Sequence, residues 1–169
     1  MAETVGVTPA DLIVRRAAER DLETLGRLGA QLVRTHHGFD SARFMAPADS
    51  VEEGYAWFLG TQLDRPDAVV LVAERSGRVL GYVFAGLEPR SWMELRDEAG
   101  FIHDVVVDED ARRTGVATRL VEEAAAWLEQ HGAPRVMLWT AEANAPAHRL
   151  FAKLGFRRTM LEMTRERRS

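Results

Sequence analysis

The sequence predicts a mixed α/β fold, with a mostly antiparallel sheet and helices packed against it. Three observations point that way. Short β-branched runs alternate with longer stretches of helical spacing, in the order βααβββαβαβ. Glycines stand where helices must stop, at Gly38, Gly132 and Gly155. The 169 residues, 46% hydrophobic and 28% charged, suit one ordinary domain spanning residues 1–169.

Leu12 to Arg16 reads as a first strand. Glu19 to His37 follows with helical spacing, Leu22, Leu25, Leu28, Leu32 and Val33 sharing one face. A second helix is expected over Ser50 to Leu63. Ala68–Glu74 and Val79–Ala85 are strands joined through Ser76-Gly77, a hairpin signal. Leu87 to Gly100 is polar and mixed, a loop with room for a short helix. Phe101–Val107 is a strand, Thr114 to His131 a helix, and Arg135–Thr140 a strand. Ala145–Leu154 is a short helix, and Phe156 to Arg165 is expected to be a final strand.

Composition narrows the chemistry. There is no cysteine, so disulfides, thiolate metal sites and a cysteine nucleophile are excluded. The net charge of −4 gives no bulk attraction to nucleic acid. The basic end formed by Arg165, Arg167 and Arg168 reads as a solvated terminus. Met1–Pro9 lacks the basic-then-apolar pattern of a secretory signal, and no run approaches a membrane span, so no membrane partner and a cytoplasmic location are expected. His36 and His37 are adjacent on a helix and point about 100° apart. No metal is expected.

The stretch after Val107 carries the chemistry. A buried strand runs through Asp108-Glu109-Asp110 into Arg112-Arg113-Thr114-Gly115-Val116-Ala117 and then an amphipathic helix. Small residues at the turn admit a ligand close to the main chain. The first amides of a helix lack acceptors and sit at the positive end of its dipole. This suits a pyrophosphate, though a plain tight turn before a core helix reads equally well from local physics. It is neither a dinucleotide fingerprint nor a Walker A loop.

Arg112 to Ala117 resembles the Arg/Gln-x-x-Gly-x-Gly/Ala signature of the GNAT acetyltransferase superfamily. Further on, Asn144-Ala145-Pro146-Ala147-His148-Arg149-Leu150-Phe151-Ala152-Lys153-Leu154-Gly155-Phe156 is similar to that family's second signature. The resemblance implies an acyl-CoA N-acyltransferase fold whose sheet contains a splayed parallel strand pair. It implies acetyl-CoA as donor and a primary amine as acceptor, on a small molecule or a protein N-terminus, which attacks the thioester directly without an acyl-enzyme. Val105, Val106 and Val107 match the strand that pairs with the pantetheine arm. Arg112, Arg113, Thr114, Gly115, Val116, Ala117 and Thr118 match the pyrophosphate loop, and Asn144 and Phe151 the second block. A main-chain amide at Val106 or Val107 is expected to polarise the carbonyl. Such relatives are often dimers, and Arg157–Arg165 is a candidate contact.

The base is less determined. His103 and Asp104 precede the pantetheine strand, and strict alternation sends them to opposite faces, so at most one enters the cleft. His103 is a plausible base, and a hydrogen-bonded strand histidine is its alternative. Glu88 and Glu94 are weaker base candidates. Glu88 and Trp92 are candidates for the acceptor side. Many relatives carry tyrosine where this chain has Phe151, which cannot protonate a leaving thiolate. His148 is a distant substitute. That departure keeps a second hypothesis open, a non-catalytic CoA-binding sensor on the same fold.

Overall fold

A computed structural model describes residues 12–167. The stretch Met1–Pro9 and Arg168 therefore lie outside the described residues. Five strands form one sheet in sequence order: β1 (Ile13–Arg16), β2 (Ala68–Arg75), β3 (Arg78–Glu88), β4 (Ala99–Val107) and β5 (Val136–Leu138). The first four are antiparallel, and β4 and β5 are parallel. The helices are α1 (Leu22–Phe39), α2 (Val51–Gly60), α3 (Val116–Gln130) and α4 (Ala145–Lys153).

Each sheet face buries its own apolar set. On one, Leu25, Leu28 and Leu59 of α1 and α2 meet Val70, Val72, Tyr82, Phe84 and Val106. On the other, Val116, Leu120, Val121, Ala124 and Leu128 of α3 meet Val69, Leu71, Val83 and Ile102. The alternation along β2 and β3 supplies both faces. The run β4–α3–β5 is the one parallel crossover, and it brings the amino end of α3 to the carboxyl end of β4.

Helices α1 and α2 approach closely because α1 offers glycines to its partner. A Cβ on Gly26 would strike the Glu52 carbonyl, and one on Gly29 would enter the Tyr55 ring. Gly38 does not stop α1. The helix runs one residue further to Phe39, and the Asp40 amide still donates to the His36 carbonyl.

The stretch between β3 and β4 is a loop, as expected, without a helix, and Ser91 and Arg96 pair across its tight turn. One expected element fails to form. The final strand is absent: from Phe156 to Arg167 the chain is irregular and mostly exposed. It is tethered by the Arg43–Glu162 ion pair rather than by sheet hydrogen bonds. The local run Thr159-Met160-Leu161-Glu162-Met163-Thr164 has strand-like composition, but a strand needs an edge to pair with, and β5 is only three residues long.

Candidate acyl-transfer site

Strand β4 pairs with β5 only through Gly100–Val136, Phe101–Met137 and Ile102–Leu138. It then continues to Val107, and among the described residues no strand flanks it on that side beyond Ile102. The two parallel strands therefore part, and a wedge opens beside Val105 to Val107.

Which peptide groups face the wedge follows from alternation. The Asp108 amide donates to the Leu80 carbonyl at 2.8 Å, toward β3. Counting back, Val106 also turns its peptide groups to β3, and its carbonyl abuts the space a Cβ on Gly81 would occupy. Val105 and Val107 turn theirs to the wedge, where Gln31 Nε2 donates to the Val107 carbonyl at 2.9 Å. Val106 is thus corrected as an oxyanion donor: its amide belongs to the β3 ladder, and its side chain is core.

The wedge ends at the start of α3. Gly115 is the N-cap, with φ of 84°, and no side chain caps the helix. Arg113 is also left-handed, with φ of 59°. Left-handed residues interleaved in a turn aim successive amides into one concavity, which suits an anion. No acidic residue occupies the first turn of α3, and a Cβ on Gly115 would meet nothing within 4 Å. Arg112 and Arg113 are exposed beside it. Val116 points its side chain into the core, so only its amide is available, while Ala117 and Thr118 continue the turn. Thr114 Oγ1 donates to the Ala111 carbonyl at 2.6 Å and braces the loop. These features fit a pyrophosphate.

In β4, Phe84 pairs with Asp104 and Ala85 with Ile102, so His103 is an extra residue, a β-bulge. The bulge overturns the opposite-face expectation. The His103 ring stacks on Phe84 and on Phe101, at 4.9 and 5.2 Å between centroids. Asp104 accepts hydrogen bonds from Tyr82 at 3.1 Å and Tyr55 at 3.0 Å, on that same face. The two environments differ. His103 is about one third open (31%), with Nε2 3.1 Å from a Glu88 carboxylate oxygen. Burial raises the Asp104 carboxyl above the usual range, against the two phenol hydrogen bonds, which favour its charged form. Burial likewise raises both phenols, Asp104 adding to the effect.

The other candidates separate. Asn144 caps α4, its Oδ1 accepting from the Ala147 amide at 3.3 Å. Phe151 packs against the α3-side core and the edge of Phe156. His148 is not free: Nε2 donates to the Ala141 carbonyl at 2.9 Å, and Nδ1 accepts from Arg158 at 3.1 Å. Glu94 pairs with Arg96 at 2.7 Å, and Trp92 stands 80% exposed in the β3–β4 turn. His36 and His37 each contact a main-chain carbonyl, of Leu32 and Phe44.

Sequence reasoning missed Gln31, the Gly29–Tyr55 fit and the Phe58–Trp139 aromatic row. Only the Gly26-x-x-Gly29 spacing, which marks a close helix approach, signalled any of them.

The fold and the wedge define a class of protein, and comparison with known proteins identifies it. The sequence model of the acetyltransferase (GNAT) family matches residues 32–156, and the chain belongs to that family. An uncharacterized N-acetyltransferase of Archaeoglobus fulgidus is 28% identical over 86% of this chain and 92% of its own length. Another, from Methanocaldococcus jannaschii, is 26% identical over 85% of this chain, which spans 59% of that relative's length. Among solved structures, the aminoglycoside N-acetyltransferase AAC(6')-Iy in complex with CoA has a TM-score of 0.77 at 17% identity, covering 98% of this chain and all of its own. At that identity the likeness concerns the fold. The fold is the GNAT acetyltransferase fold.

Proposed function

We propose that the chain is a single-domain N-acetyltransferase that moves an acetyl group from acetyl-CoA to a primary amine by direct attack. The observation that carries this reading is the wedge: unpaired amides at Val105 and Val107 lead directly to the uncapped amino end of α3.

Acetyl-CoA supplies the acetyl group as a thioester, whose C–S bond breaks as the new C–N bond forms. The α3 amides and the Arg113–Thr118 turn hold the pyrophosphate, with Arg112 adding charge. That end fixes the cofactor's direction along β4, so Val107 meets the pantetheine arm and Val105 lies nearer the reacting carbonyl. The Val105 amide polarises that carbonyl. His103 takes the proton from the acceptor ammonium, directly or through water. Asp104, held by two phenols, fixes β4 against α2 from beneath. Asn144 holds α4 in place beside the arm. Phe151 offers no proton, and a thiol of pKa about 8.5 can leave unassisted near neutrality.

A cytoplasmic location follows from the donor, which is made inside cells. Among the described residues no helix is long and apolar enough to cross a membrane. A homodimer, with the exposed segment 157–165 at its contact, belongs to this reading; light scattering tests it, and a monomer mass removes it.

The decisive experiment pairs calorimetry with a thiol-release assay. Acetyl-CoA is expected to bind below about 1 mM, and an amine panel to release free CoA. No heat at millimolar acetyl-CoA overturns the cofactor site. Binding without turnover of any amine favours the sensor hypothesis.

A further inference from the structure

One face of the sheet carries an unbroken aromatic row across the mouth of the wedge. It runs Tyr55–Phe58 (6.2 Å between centroids), Phe58–Phe84 (5.7 Å), Phe84–His103 (4.9 Å), His103–Phe101 (5.2 Å) and Phe101–Trp139 (5.2 Å). Phe84 and Phe101 are the buried floor. His103 lies on that floor, Trp139 stands 74% exposed at the end of β5, and Phe58 is exposed at the opposite side on α2.

The polar equipment of this surface is sparse and of one sign. Glu88 places its carboxylate against His103 Nε2. Asp104 lies beneath, with its oxygen taken by Tyr55 and Tyr82, and His36 acts on it from α1. Arg65, on the α2–β2 connection, feels Glu88 only weakly, its guanidinium being paired with Asp67 at 2.7 Å. Two carboxylates of the β3–β4 turn are engaged, Glu94 with Arg96 and Asp97 with Arg90, while Glu98 at its end is exposed and in no ion pair among the described residues. One carboxylate beside one imidazole can serve one ammonium. The rings around them match an apolar body, because aromatic faces favour both apolar burial and an adjacent cation. A polyhydroxylated or multiply charged amine would find few partners here.

Resting on the acetyltransferase reading, we propose that the acceptor is a small arylalkyl monoamine, its nitrogen at His103 and Glu88 and its ring beside Phe101 and Trp139. The reaction passes one ammonium proton to His103, joins the amine nitrogen to the acetyl carbon as the C–S bond breaks, and releases CoA as thiolate, the second nitrogen proton leaving to water or to that thiolate.

The test measures thiol release with 2-phenylethylamine, spermidine, kanamycin and a phenylalanine-initiated tripeptide. The expected result is a kcat/KM for 2-phenylethylamine at least roughly tenfold above each of the others, the scale of one good ring contact. Trp139→Ala is expected to raise KM for 2-phenylethylamine severalfold while the KM for acetyl-CoA stays put, and an unchanged KM for the amine overturns the placement of the ring. Calorimetry of 2-phenylethylamine with the protein–CoA complex reads binding independently of turnover. Preference for spermidine, kanamycin or the tripeptide overturns the acceptor class and leaves acetyl transfer standing. Acetyl-CoA binding with neither turnover nor binding of 2-phenylethylamine also overturns it. Failure to bind acetyl-CoA at all removes the underlying reading instead.

Discussion

His103 and Asp104 share a sheet face, yet one stands partly open beside Glu88 while the other is sealed under two phenols. Glu88 lies 3.1 Å from His103 Nε2, so an ammonium bound there meets both groups. Glu88→Ala is expected to lower kcat/KM about tenfold or more, and Glu88→Gln, which keeps the shape without the charge, to restore little of it. Steady-state kinetics at one pH read both. Asp104 makes a different prediction. Its carboxyl is raised by burial, so its protonated form is favoured in the folded state. Its contribution to stability is fully present below the ordinary value of 3.8 and is lost as pH rises through the raised one. Asp104→Asn keeps an acceptor for both phenols and is expected to flatten that limb of stability against pH, read from urea midpoints.

At the scale of elements, the register of β4 decides which amides serve the wedge. Val105→Pro deletes a wedge-facing amide, and the fold is expected to survive with kcat reduced roughly 100-fold or more, the usual loss for one oxyanion donor. Val106→Pro deletes a ladder amide and is expected to cost about 3 kcal/mol of stability. If circular dichroism melts show the reverse order, the register argument is wrong. Gly29→Ala drives a methyl into the Tyr55 ring, and overpacking of this kind costs about 1–3 kcal/mol. It should also separate Tyr55 from Asp104, visible as a blue-shifted tyrosine absorbance.

The elements themselves were largely legible in the sequence. Apolar runs marked β2, β3 and β4, and Gly132 marked the end of α3. The bulge was not, because a strand with one extra residue has the same composition as one without. The partner strand alone reveals that Phe84 faces two residues. The candidate pyrophosphate turn is marked in the sequence by its small residues and its family signature. Its strength as an anion site, through the left-handed Arg113 and Gly115, is a property of torsions that no motif spells out.

For the molecule as a whole, charge networks tie the sheet to the helices. Arg15 on β1 bridges Asp21, just ahead of α1, at 2.8 Å and Glu74 on β2 at 2.6 Å. The Arg15 hydrogen bonds hold the Asp21 carboxyl below the usual range, despite its burial. The sign is opposite to that of Asp104: the stabilisation is present above the ordinary value of 3.8 and is lost as pH falls through the lowered one. Asp21→Asn is expected to cost about 2 kcal/mol at neutral pH, since Arg15 keeps Glu74, and to remove part of the acid-induced loss. Denaturant titrations at neutral and acid pH read both. The C-terminal segment marks where local pattern misleads at this scale. Its residues favour extended backbone, but Arg43 and Glu162 fasten it where there is no strand to join.

The parting of β4 from β5 has one more consequence. On the proposed reading peptide groups grip the donor there, and every residue but proline carries the same peptide N–H, so other side-chain exchanges at Val105 or Val107 leave that handle intact. On that reading the acceptor meets side chains instead, those of His103 on β4, Glu88 on β3 and Trp139 beyond β5. The chain can therefore drift from one amine to another by substitution at the mouth while keeping the same acetyl currency.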